Sequence, residues 1–368
     1  MAIGEELVLE AFKLAVHLFS LQGYDIREIA GHEGGRNRIF VCAQGGQKKY
    51  ILRVSATGDR AEKDYHAETG FVHYLAGNGA SVADVVPSIH GKFVEVVEAT
   101  ALADNAMDGN NATDDDSATD GDSATDGDRT APPVFISLFE YARGMLLCDN
   151  GYRYREGAPL EEYFYNTGKT LGKIHALSKR FEPASDFRRA SYFEKYNMDY
   201  IDRLIPDASD TYACLKKAIV DRLQKFHTLP TDRESFGLVH FDYSDGNYHI
   251  NMINGNITVF DFDNCMYCWY MFDLANLWTH GEGWYRGEPD PAKREAFMRH
   301  YFDTILAGYT SETAISDELV HRIPLFIDMV MIENIVDEFE CAAREGEAVD
   351  YEDIETAANH LTKEELTA

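Results

Sequence analysis

Two polar side chains with complementary chemistry lie close together in the second half of the chain. Residues 238–247 read Leu-Val-His-Phe-Asp-Tyr-Ser-Asp-Gly-Asn, with Asp242 five positions before Asn247. A carboxylate in such a loop can accept the proton of a hydroxyl group, and an amide oxygen beside it can bind Mg²⁺. The pair therefore predicts chemistry in which a hydroxyl attacks a phosphate that a metal ion holds.

A second carboxylate stands at the end of a predicted strand. Residues 257–260 read Ile-Thr-Val-Phe and are followed by Asp261, fourteen positions after Asn247. The Asn254-Gly255 pair between them is typical of a tight hairpin turn. Such a hairpin would return Asp261 towards Asn247, so that both could bind one Mg²⁺, with Asp263 in a supporting position.

The spacing of His240, Asp242 and Asn247 is that of the kinase catalytic loop, H-x-D-x-x-x-x-N. Together with Val-Phe-Asp-Phe-Asp-Asn-Cys at 259–265 and Tyr-Met-Phe-Asp-Leu-Ala at 270–275, it resembles the aminoglycoside/choline/homoserine phosphotransferase family. Residues 171–177 also resemble the L-G-x-x-x-x-L-H helix of that family, with the His shifted. The resemblance extends from about residue 26 to the C-terminal helices.

The resemblance implies an α+β fold with two lobes, as in protein kinases, and transfer of the γ-phosphoryl group of ATP or GTP to a hydroxyl of a small molecule. Asp242 would be the catalytic base, and Asn247 and Asp261 would bind Mg²⁺. His240 would support the catalytic loop, and Asp273 would accept hydrogen bonds from its backbone.

The elements that must position these residues divide into a stranded and a helical part. Strand patterns and one helix precede residue 142, and mainly helical patterns follow Gly144. We therefore predict an N-terminal lobe over 1–138 with a small antiparallel sheet, a hinge at 139–143, and a larger helical lobe over 144–368. The helical patterns include residues 160–179, 207–225, 291–306 and 318–345.

An acidic segment interrupts the N-terminal lobe. Residues 103–130 contain the repeat Asp-Ser-Ala-Thr-Asp-Gly and almost no large apolar side chains that could join a core. Such a composition cannot offset the entropy of ordering, so the segment is predicted to be disordered. Because strand patterns flank it at 91–97 and 134–141, it would be an enlarged hairpin connection.

Candidate nucleotide contacts follow from position in the N-terminal lobe. Gly34 and Gly35, with Asn37, fill a turn whose backbone N–H groups could approach phosphate oxygens. Arg53 occupies the strand position at which kinases carry a lysine. Its planar guanidinium can donate paired hydrogen bonds to a phosphate or to a carboxylate. Its expected ion-pair partner is Glu68 on the following helix, with Glu62 as second choice.

The predicted hinge also has a candidate role in nucleotide binding. Phe139, Glu140 and Tyr141 stand where backbone groups of kinase-like enzymes bind the adenine edge. Aromatic residues at this position also suit simple core packing, and the family position favours adenine contact.

The net charge of −29 bears on possible partners. It argues against a nucleic-acid partner, because no basic stripe is present to bind a phosphate backbone. The charge fits an acidic pocket for a cationic acceptor, to which Glu333, Asp337, Glu338, Glu340, Glu345 and Glu347 could contribute, and it equally fits a solvated surface. We expect a cytoplasmic enzyme without a membrane span; the oligomeric state stays open.

Two other functions remain open at this point. One is a Ser/Thr protein kinase of the same fold, against which stands the absence of an A-P-E segment between Asp261 and Asp273. The other is a nucleotide-binding module without activity, against which stand the intact Asp242, Asn247 and Asp261.

Overall fold

The structure of the chain is a computed structural model that describes residues 5–29, 37–55, 60–98, 133–285 and 287–362. The chain forms two compact units. The first comprises residues 1–70 and 84–141, and the second comprises residues 71–83 and 142–368. Residues 71–83 belong to the second unit, where Phe71 and Leu75 lie in the hydrophobic core.

The first unit is built around an antiparallel sheet. Its described strands are β1 (Asp25–Ile29), β2 (Asn37–Gln44), β3 (Gln47–Ser55), β4 (Val85–Val86), β5 (Glu95–Val97) and β6 (Val134–Glu140). The strand order is β1-β2-β3-β6-β4, and β5 pairs with β6. Two helices, α1 (Glu5–Leu18) and α2 (Glu62–Gly77), complete the described elements up to residue 98.

The pairing of β5 with β6 explains how the acidic segment is accommodated. Val97 lies opposite Val134 in an antiparallel register, so the intervening residues connect two neighbouring strands. The predicted enlarged hairpin is therefore confirmed. Residues 103–130 themselves lie outside the described residues, and their predicted disorder stays a prediction.

Helix α1 covers the core of the first unit and was not predicted from the sequence. Its buried residues Val8, Ala11, Ala15 and Leu18 recur at helical spacing and pack in one cluster with residues of β3 such as Leu52. The recurrence of these apolar residues at helical spacing was the feature of the sequence that could have predicted the helix.

The second unit is mainly helical. Its helices are α3 (Leu160–Ser178), α4 (Tyr192–Lys195), α5 (Met198–Leu204), α6 (Asp210–Phe226), α7 (Tyr270–His280), α8 (Pro291–Thr310), α9 (Asp317–His321), α10 (Ile323–Glu345) and α11 (Tyr351–Thr362). Its strands are β7 (Phe236–Val239), β8 (Tyr248–Ile250), β9 (Ile257–Val259) and β10 (Met266–Trp269). Within the described ranges, no helix combines the length and the apolar character needed to cross a bilayer.

The strands form two pairs, β7 with β10 and β8 with β9. The predicted hairpin is confirmed, since β8 and β9 pair antiparallel, but the loop 251–256 joins them in place of a tight Asn254-Gly255 turn, and in this loop Gly255 has a φ of +74°. One helix prediction was wrong: residues 318–345 form two helices that meet at Arg322. Pro324 lies in the first turn of the second helix, which is where a proline fits, since it is unfavourable in a helix interior.

Helices α3 and α8 approach each other unusually closely. A Cβ added to Gly168 would lie 1.9 Å from the carbonyl oxygen of Ile305, and one added to Gly308 would lie 2.0 Å from that of Tyr165. Both contacts are with backbone, which cannot move aside as a flexible side chain can.

We expect Gly168→Ala to lower the free energy of unfolding by about 2–3 kcal/mol, because the methyl group would force the two helices apart. The matched control is Gly70→Ala in α2, where a Cβ has no neighbour within 4 Å. That change should be neutral or stabilising by about 0.5–1 kcal/mol. Denaturant unfolding followed by circular dichroism measures both, and equal effects would contradict the proposed close contact.

Candidate active site

The loop at 240–247 connects β7 to β8 and is held by one buried carboxylate. Asp273, on α7, accepts the backbone N–H of His240 at Oδ2 and that of Phe241 at Oδ1, both at 2.9 Å. Phe241 has a φ of +72°, which is unfavourable for a bulky residue, and these two hydrogen bonds hold it there. The predicted role of Asp273 as an acceptor for the loop backbone is confirmed.

The same carboxylate is fixed from the other side by a histidine. His175 Nε2 lies 3.1 Å from Asp273 Oδ2, and its Nδ1 lies 3.1 Å from the hydroxyl of Tyr309. All three side chains are buried. Burial lowers the pKa of His175 although the charge of Asp273 opposes this, so the ring is neutral and donates its Nε2–H to the carboxylate.

His240 joins the loop to the strand that precedes Asp261. Its Nε2 lies 2.9 Å from the carbonyl oxygen of Phe260, and the N–H of Phe260 donates to the carbonyl oxygen of Asn247 at 2.9 Å. The predicted supporting role of His240 is therefore confirmed. Because Asp261 directly follows Phe260, chain connectivity places it beside the end of the loop at 240–247.

Asp242 and Asn247 are in direct contact. The Asn247 side-chain Nδ2 donates to the backbone oxygen of Asp242 at 2.9 Å and to its Oδ2 at 2.8 Å. The amide nitrogen is thus used within the loop, whereas Asn247 Oδ1 accepts no hydrogen bond from any described residue.

The residues fit a hard divalent cation. Asn247 Oδ1 remains available as a metal ligand. The carboxylate of Asp261, whose backbone φ is +63°, is exposed, whereas Asp263 is buried. Over the described residues, no group of three His, Cys, Asp or Glu side chains could hold a metal alone. An ion bound by Asn247 and Asp261 would therefore need further oxygen ligands, such as those of phosphates and water.

The surroundings of Asp242 favour its protonated form. Burial raises the pKa of this carboxyl and the charge of Asp263 adds to the rise, whereas His240, the hydrogen bond from Asn247 and His280 oppose it. A carboxyl with a raised pKa is a better proton acceptor when ionised, which is what a general base requires.

Sequence reasoning missed a residue that positions the loop after Asp261. Arg189 Nε donates to the backbone oxygen of Cys265 at 2.6 Å, and its terminal nitrogen donates to that of Asp263. Neighbouring Ala190 accepts the N–H of Tyr267, so this segment lies alongside the loop. No sequence motif marks Arg189, because its role depends on a loop contact between distant segments.

Arg53 and Glu68 form the expected ion pair inside the first unit. The two terminal nitrogens of Arg53 donate to the two carboxylate oxygens of Glu68 at 2.7 and 2.8 Å, and both side chains are buried. The guanidinium also lies 4.9 Å from the centroid of the Phe139 ring. Strand phase and helix spacing were thus sufficient to find this pair.

The other predicted nucleotide contacts are only partly described. Gly34 and Gly35 lie outside the described residues. Asn37 Oδ1 accepts the hydroxyl hydrogen of Ser55 at 2.6 Å. The N–H groups of Glu140 and Tyr141 donate to the backbone oxygens of Asp84 and Lys49, so those two donors are not left for an adenine ring.

A cavity of about 850 Å³ lies beside the loop at 240–247 in the second unit. Asp245 of the loop lines it, with His280 at the end of α7 and Trp284 and Tyr285 in the following turn. Glu282, Glu288, Arg294, Thr279 and Tyr152 complete its polar and aromatic lining. The carboxylate of Asp245 accepts no hydrogen bond from a described residue, so it is available to a ligand.

Comparison with known proteins decides the family. A model of the phosphotransferase enzyme family matches residues 25–312, well over half of the 368 residues. The chain belongs to this family. The amicoumacin kinase of Bacillus subtilis (strain 168) is 25% identical to it over 292 residues, which are 79% of this chain and 74% of the relative.

Two solved structures have similar folds. Amicoumacin kinase hAmiN, in complex with AMP-PNP, Ca²⁺ and Ami, superposes with a TM-score of 0.72 at 22% identity, covering 100% of this chain and 94% of that one. A microcompartment-associated aminopropanol kinase gives 0.64 at 18% identity, covering 96% and 94%. These comparisons confirm the predicted family and the kinase-like α+β fold. They also confirm the prediction of a small-molecule phosphotransferase, in preference to a protein kinase or a nucleotide-binding module without activity.

Proposed function

We propose that this phosphotransferase moves the γ-phosphoryl group of ATP, bound with Mg²⁺, to a hydroxyl of a small acceptor that carries a cationic group. One observation carries the proposal: Asn247 directs its amide nitrogen to Asp242 and leaves its oxygen for a cation. A proton acceptor and a metal ligand are thereby fixed side by side in one loop, as phosphoryl transfer requires.

Each residue of the loop has a defined task in this proposal. Asp242 accepts the proton of the acceptor hydroxyl, and Asn247 and Asp261 supply oxygen ligands to the ion. Bound Mg²⁺ would neutralise negative charge on the phosphates. Asp273 and His240 keep the loop in the conformation that aligns these groups.

The nucleotide is proposed to contact the first unit through Arg53 and through Gly34, Gly35 and Asn37. The ion pair with Glu68 would hold the guanidinium of Arg53 in position. ATP rather than GTP is supported by the adenine nucleotide analogue in the complex of the related hAmiN, whose complex also contains a divalent cation. An enzyme that consumes ATP would work in the cytoplasm, which is the location we propose.

The cavity beside Asp245 is proposed to hold the body of the acceptor. Three of its lining residues are acidic, Asp245, Glu282 and Glu288, while Trp284 and Tyr285 offer aromatic surface. Carboxylates and aromatic faces both favour a positively charged ligand. Aminopropanol, which gives one relative its name, is itself an amino alcohol.

Formation of ADP in the presence of Mg²⁺ and a panel of aminoglycosides, amino alcohols and neutral sugars tests the function. We expect ADP release that depends on one class of acceptor, together with mass-spectrometric detection of a phosphorylated hydroxyl. A parallel series with GTP checks the donor. ADP release that never depends on any acceptor, or product phosphorylated only on a peptide serine, would contradict the proposal.

The proposed role of Arg53 in nucleotide binding can be separated from its structural role in the ion pair with Glu68. Arg53→Met alone should cost about 3–5 kcal/mol of stability, because Glu68 would be left buried without its partner. The double variant Arg53→Met/Glu68→Met should regain most of that stability, since an apolar pair of similar volume is tolerated.

If Arg53 contacts phosphates, the stable double variant should still show a KM for ATP raised by about tenfold or more. Lys49→Met, which removes an exposed cation from the same strand, is the matched control and should leave this KM unchanged. Recovery of a normal KM for ATP in the double variant would show that Arg53 serves the fold alone.

A further inference from the structure

The proposed metal ligand Asp261 has an unusual backbone conformation. Its φ of +63° lies in the left-handed region, which residues other than glycine adopt infrequently. Such a conformation persists where the surrounding structure holds the backbone on both sides of the residue. The direction of the Asp261 carboxylate therefore depends on what holds its neighbours in the chain.

The residue before Asp261 is held by the loop at 240–247. The N–H of Phe260 donates to the carbonyl oxygen of Asn247 at 2.9 Å, and His240 Nε2 donates to the carbonyl oxygen of Phe260 at 2.9 Å. These hydrogen bonds fix the entry to Asp261 and join it to the other proposed ligand, Asn247. The residues that follow Asp261 must be held by other contacts.

Residues 262–265 form a turn directly after the proposed ligand, and we call it the ligand turn. The N–H of Cys265 donates to the carbonyl oxygen of Phe262 at 3.0 Å, which closes the turn. The buried ring of Phe262 has its centroid 4.5 Å from that of His240 and 6.2 Å from that of Phe71. Ring packing thus holds the start of the turn, and its later backbone needs a separate support.

Arg189 provides that support from a distant part of the sequence. Its Nε donates to the backbone oxygen of Cys265 at 2.6 Å, and its Nη2 donates to the backbone oxygen of Asp263. A guanidinium suits this task, because it is planar and presents several N–H donors in a fixed geometry. One side chain can therefore hold two carbonyl oxygens of the ligand turn at once.

The backbone that carries Arg189 is itself fixed on its C-terminal side. Ala190 accepts the N–H of Tyr267 at 2.9 Å, and Ser191 forms a β-bridge with the same residue. Ser191 is also the N-cap of α4, where its side chain and that of Glu194 form a reciprocal capping box. The guanidinium is therefore presented to the ligand turn from a fixed position.

We propose that Arg189 is a positioning residue for the metal ion, which holds the ligand turn so that Asp261 keeps its left-handed conformation and its carboxylate stays directed to the ion. The inference rests on the proposed function, in which Asn247 and Asp261 bind the ion. Without Arg189 the turn can relax and Asp261 can return to a negative φ, which changes the direction of its carboxylate. Groups that orient metal ligands without touching the metal typically change its affinity by about 10- to 100-fold.

The sign of the effect separates positioning from electrostatics. Arg189 carries a positive charge, so loss of that charge alone would strengthen the binding of a cation. Loss of its hold on the ligand turn would weaken the binding. Weaker metal binding after removal of a positive charge is therefore the result that positioning predicts and electrostatics does not.

The experiment measures the Kd for Mn²⁺ by electron paramagnetic resonance, with AMP-PNP present and no acceptor, so that it requires no turnover. Mn²⁺ is a suitable probe because it shares the preference of Mg²⁺ for oxygen ligands. The full-length parent is compared with Arg189→Met, Arg189→Lys and Arg188→Met. Arg188 is an exposed neighbour that donates to the backbone oxygen of Phe187 in its own segment, so its replacement gives a matched loss of charge.

The Kd for Mn²⁺ should rise by about 10- to 100-fold in Arg189→Met. It should rise less in Arg189→Lys, since an ammonium keeps the charge and a donor but lacks the planar arrangement that reaches both oxygens. Arg188→Met should show no rise. In ADP formation, Arg189→Met should have a raised apparent KM for Mg²⁺ and regain most of its kcat at saturating Mg²⁺, whereas a loss of folded protein would lower kcat without changing this KM.

Three results would overturn the proposal. One is an unchanged Kd for Mn²⁺ in Arg189→Met, and another is an equal rise in Arg188→Met. The third is loss of the folded state in both Arg189 variants, as measured by denaturant unfolding, because Arg189 would then serve the fold alone.

Failure of this inference can be told from failure of the proposed function. If the parent phosphorylates an acceptor and Arg189→Met binds Mn²⁺ as the parent does, the phosphotransferase stands and Arg189 has no such role. If the parent binds Mn²⁺ and AMP-PNP but no acceptor stimulates ADP formation, the proposed function fails, and the Kd values still decide the role of Arg189.

Discussion

Replacement of Asp242 by Asn is expected to lower kcat by about 10²- to 10⁴-fold, the range that a positioned general base contributes. The asparagine oxygen can still accept the hydrogen bond from Asn247 Nδ2, so the loop should keep its shape. Nucleotide affinity should change little, because Asp242 makes no contact with the donor in the proposed arrangement. Steady-state ADP release and direct titration with ATP measure the two quantities separately.

The stability of this variant should move in the opposite direction to its activity. Because the pKa of Asp242 is raised in the folded state, the folded protein favours the protonated carboxyl, and this contribution to stability is lost as pH rises through the folded pKa. At neutral pH the ionised side chain is therefore unfavourable, and Asp242→Asn should unfold at the same or a higher denaturant concentration than the parent.

Two further measurements test the role of Asp242 as the base. The acid limb of kcat/KM in the parent should lie above the pH at which an ordinary Asp titrates, because only ionised Asp242 accepts the proton. Asp303→Asn, an exposed change on α8, should leave kcat unaltered. An Asp242→Asn enzyme that retained kcat within about threefold of the parent would mean that no base at this position is needed.

The parts of the site that could be predicted from sequence are those that local geometry fixes. The spacing of Asp242 and Asn247 within one loop, and the hairpin at Asn254-Gly255 before Asp261, each depend on a few neighbouring residues. The pairing of Arg53 with Glu68 followed from strand phase and from the start of a helix.

The parts that could not be predicted depend on packing between distant segments. Arg189 contacts backbone oxygens more than seventy positions away. The type and spacing of Arg189 carry no signal, since an arginine is common on any surface. A charged helix was visible in the sequence, but the sequence does not show that Glu340 on this helix accepts a hydrogen bond from Tyr200 and pairs with Lys195.

Asp273→Ala is expected to have the largest combined effect on stability and activity. The change removes the acceptor of two backbone N–H groups and of His175, all of which are buried. Because buried donors without acceptors each cost about 1–3 kcal/mol, we expect a loss of about 3–5 kcal/mol in the free energy of unfolding. Denaturant unfolding monitored by tryptophan fluorescence reports this loss in the second unit, which contains all three tryptophans.

The activity of the folded fraction separates support of the fold from support of catalysis. Without Asp273, Phe241 can leave its φ of +72°, and the neighbouring Asp242 should shift relative to the acceptor hydroxyl. A displacement of about 1 Å is sufficient to lower kcat by about 10²-fold, so kcat should fall even where the protein is folded.

His175→Ala should lower the free energy of unfolding less than Asp273→Ala. In the double variant the two losses should not add, because His175 acts through the carboxylate of Asp273. If folded Asp273→Ala kept the kcat of the parent, the hydrogen bonds to the loop would stabilise the unit without aligning the base.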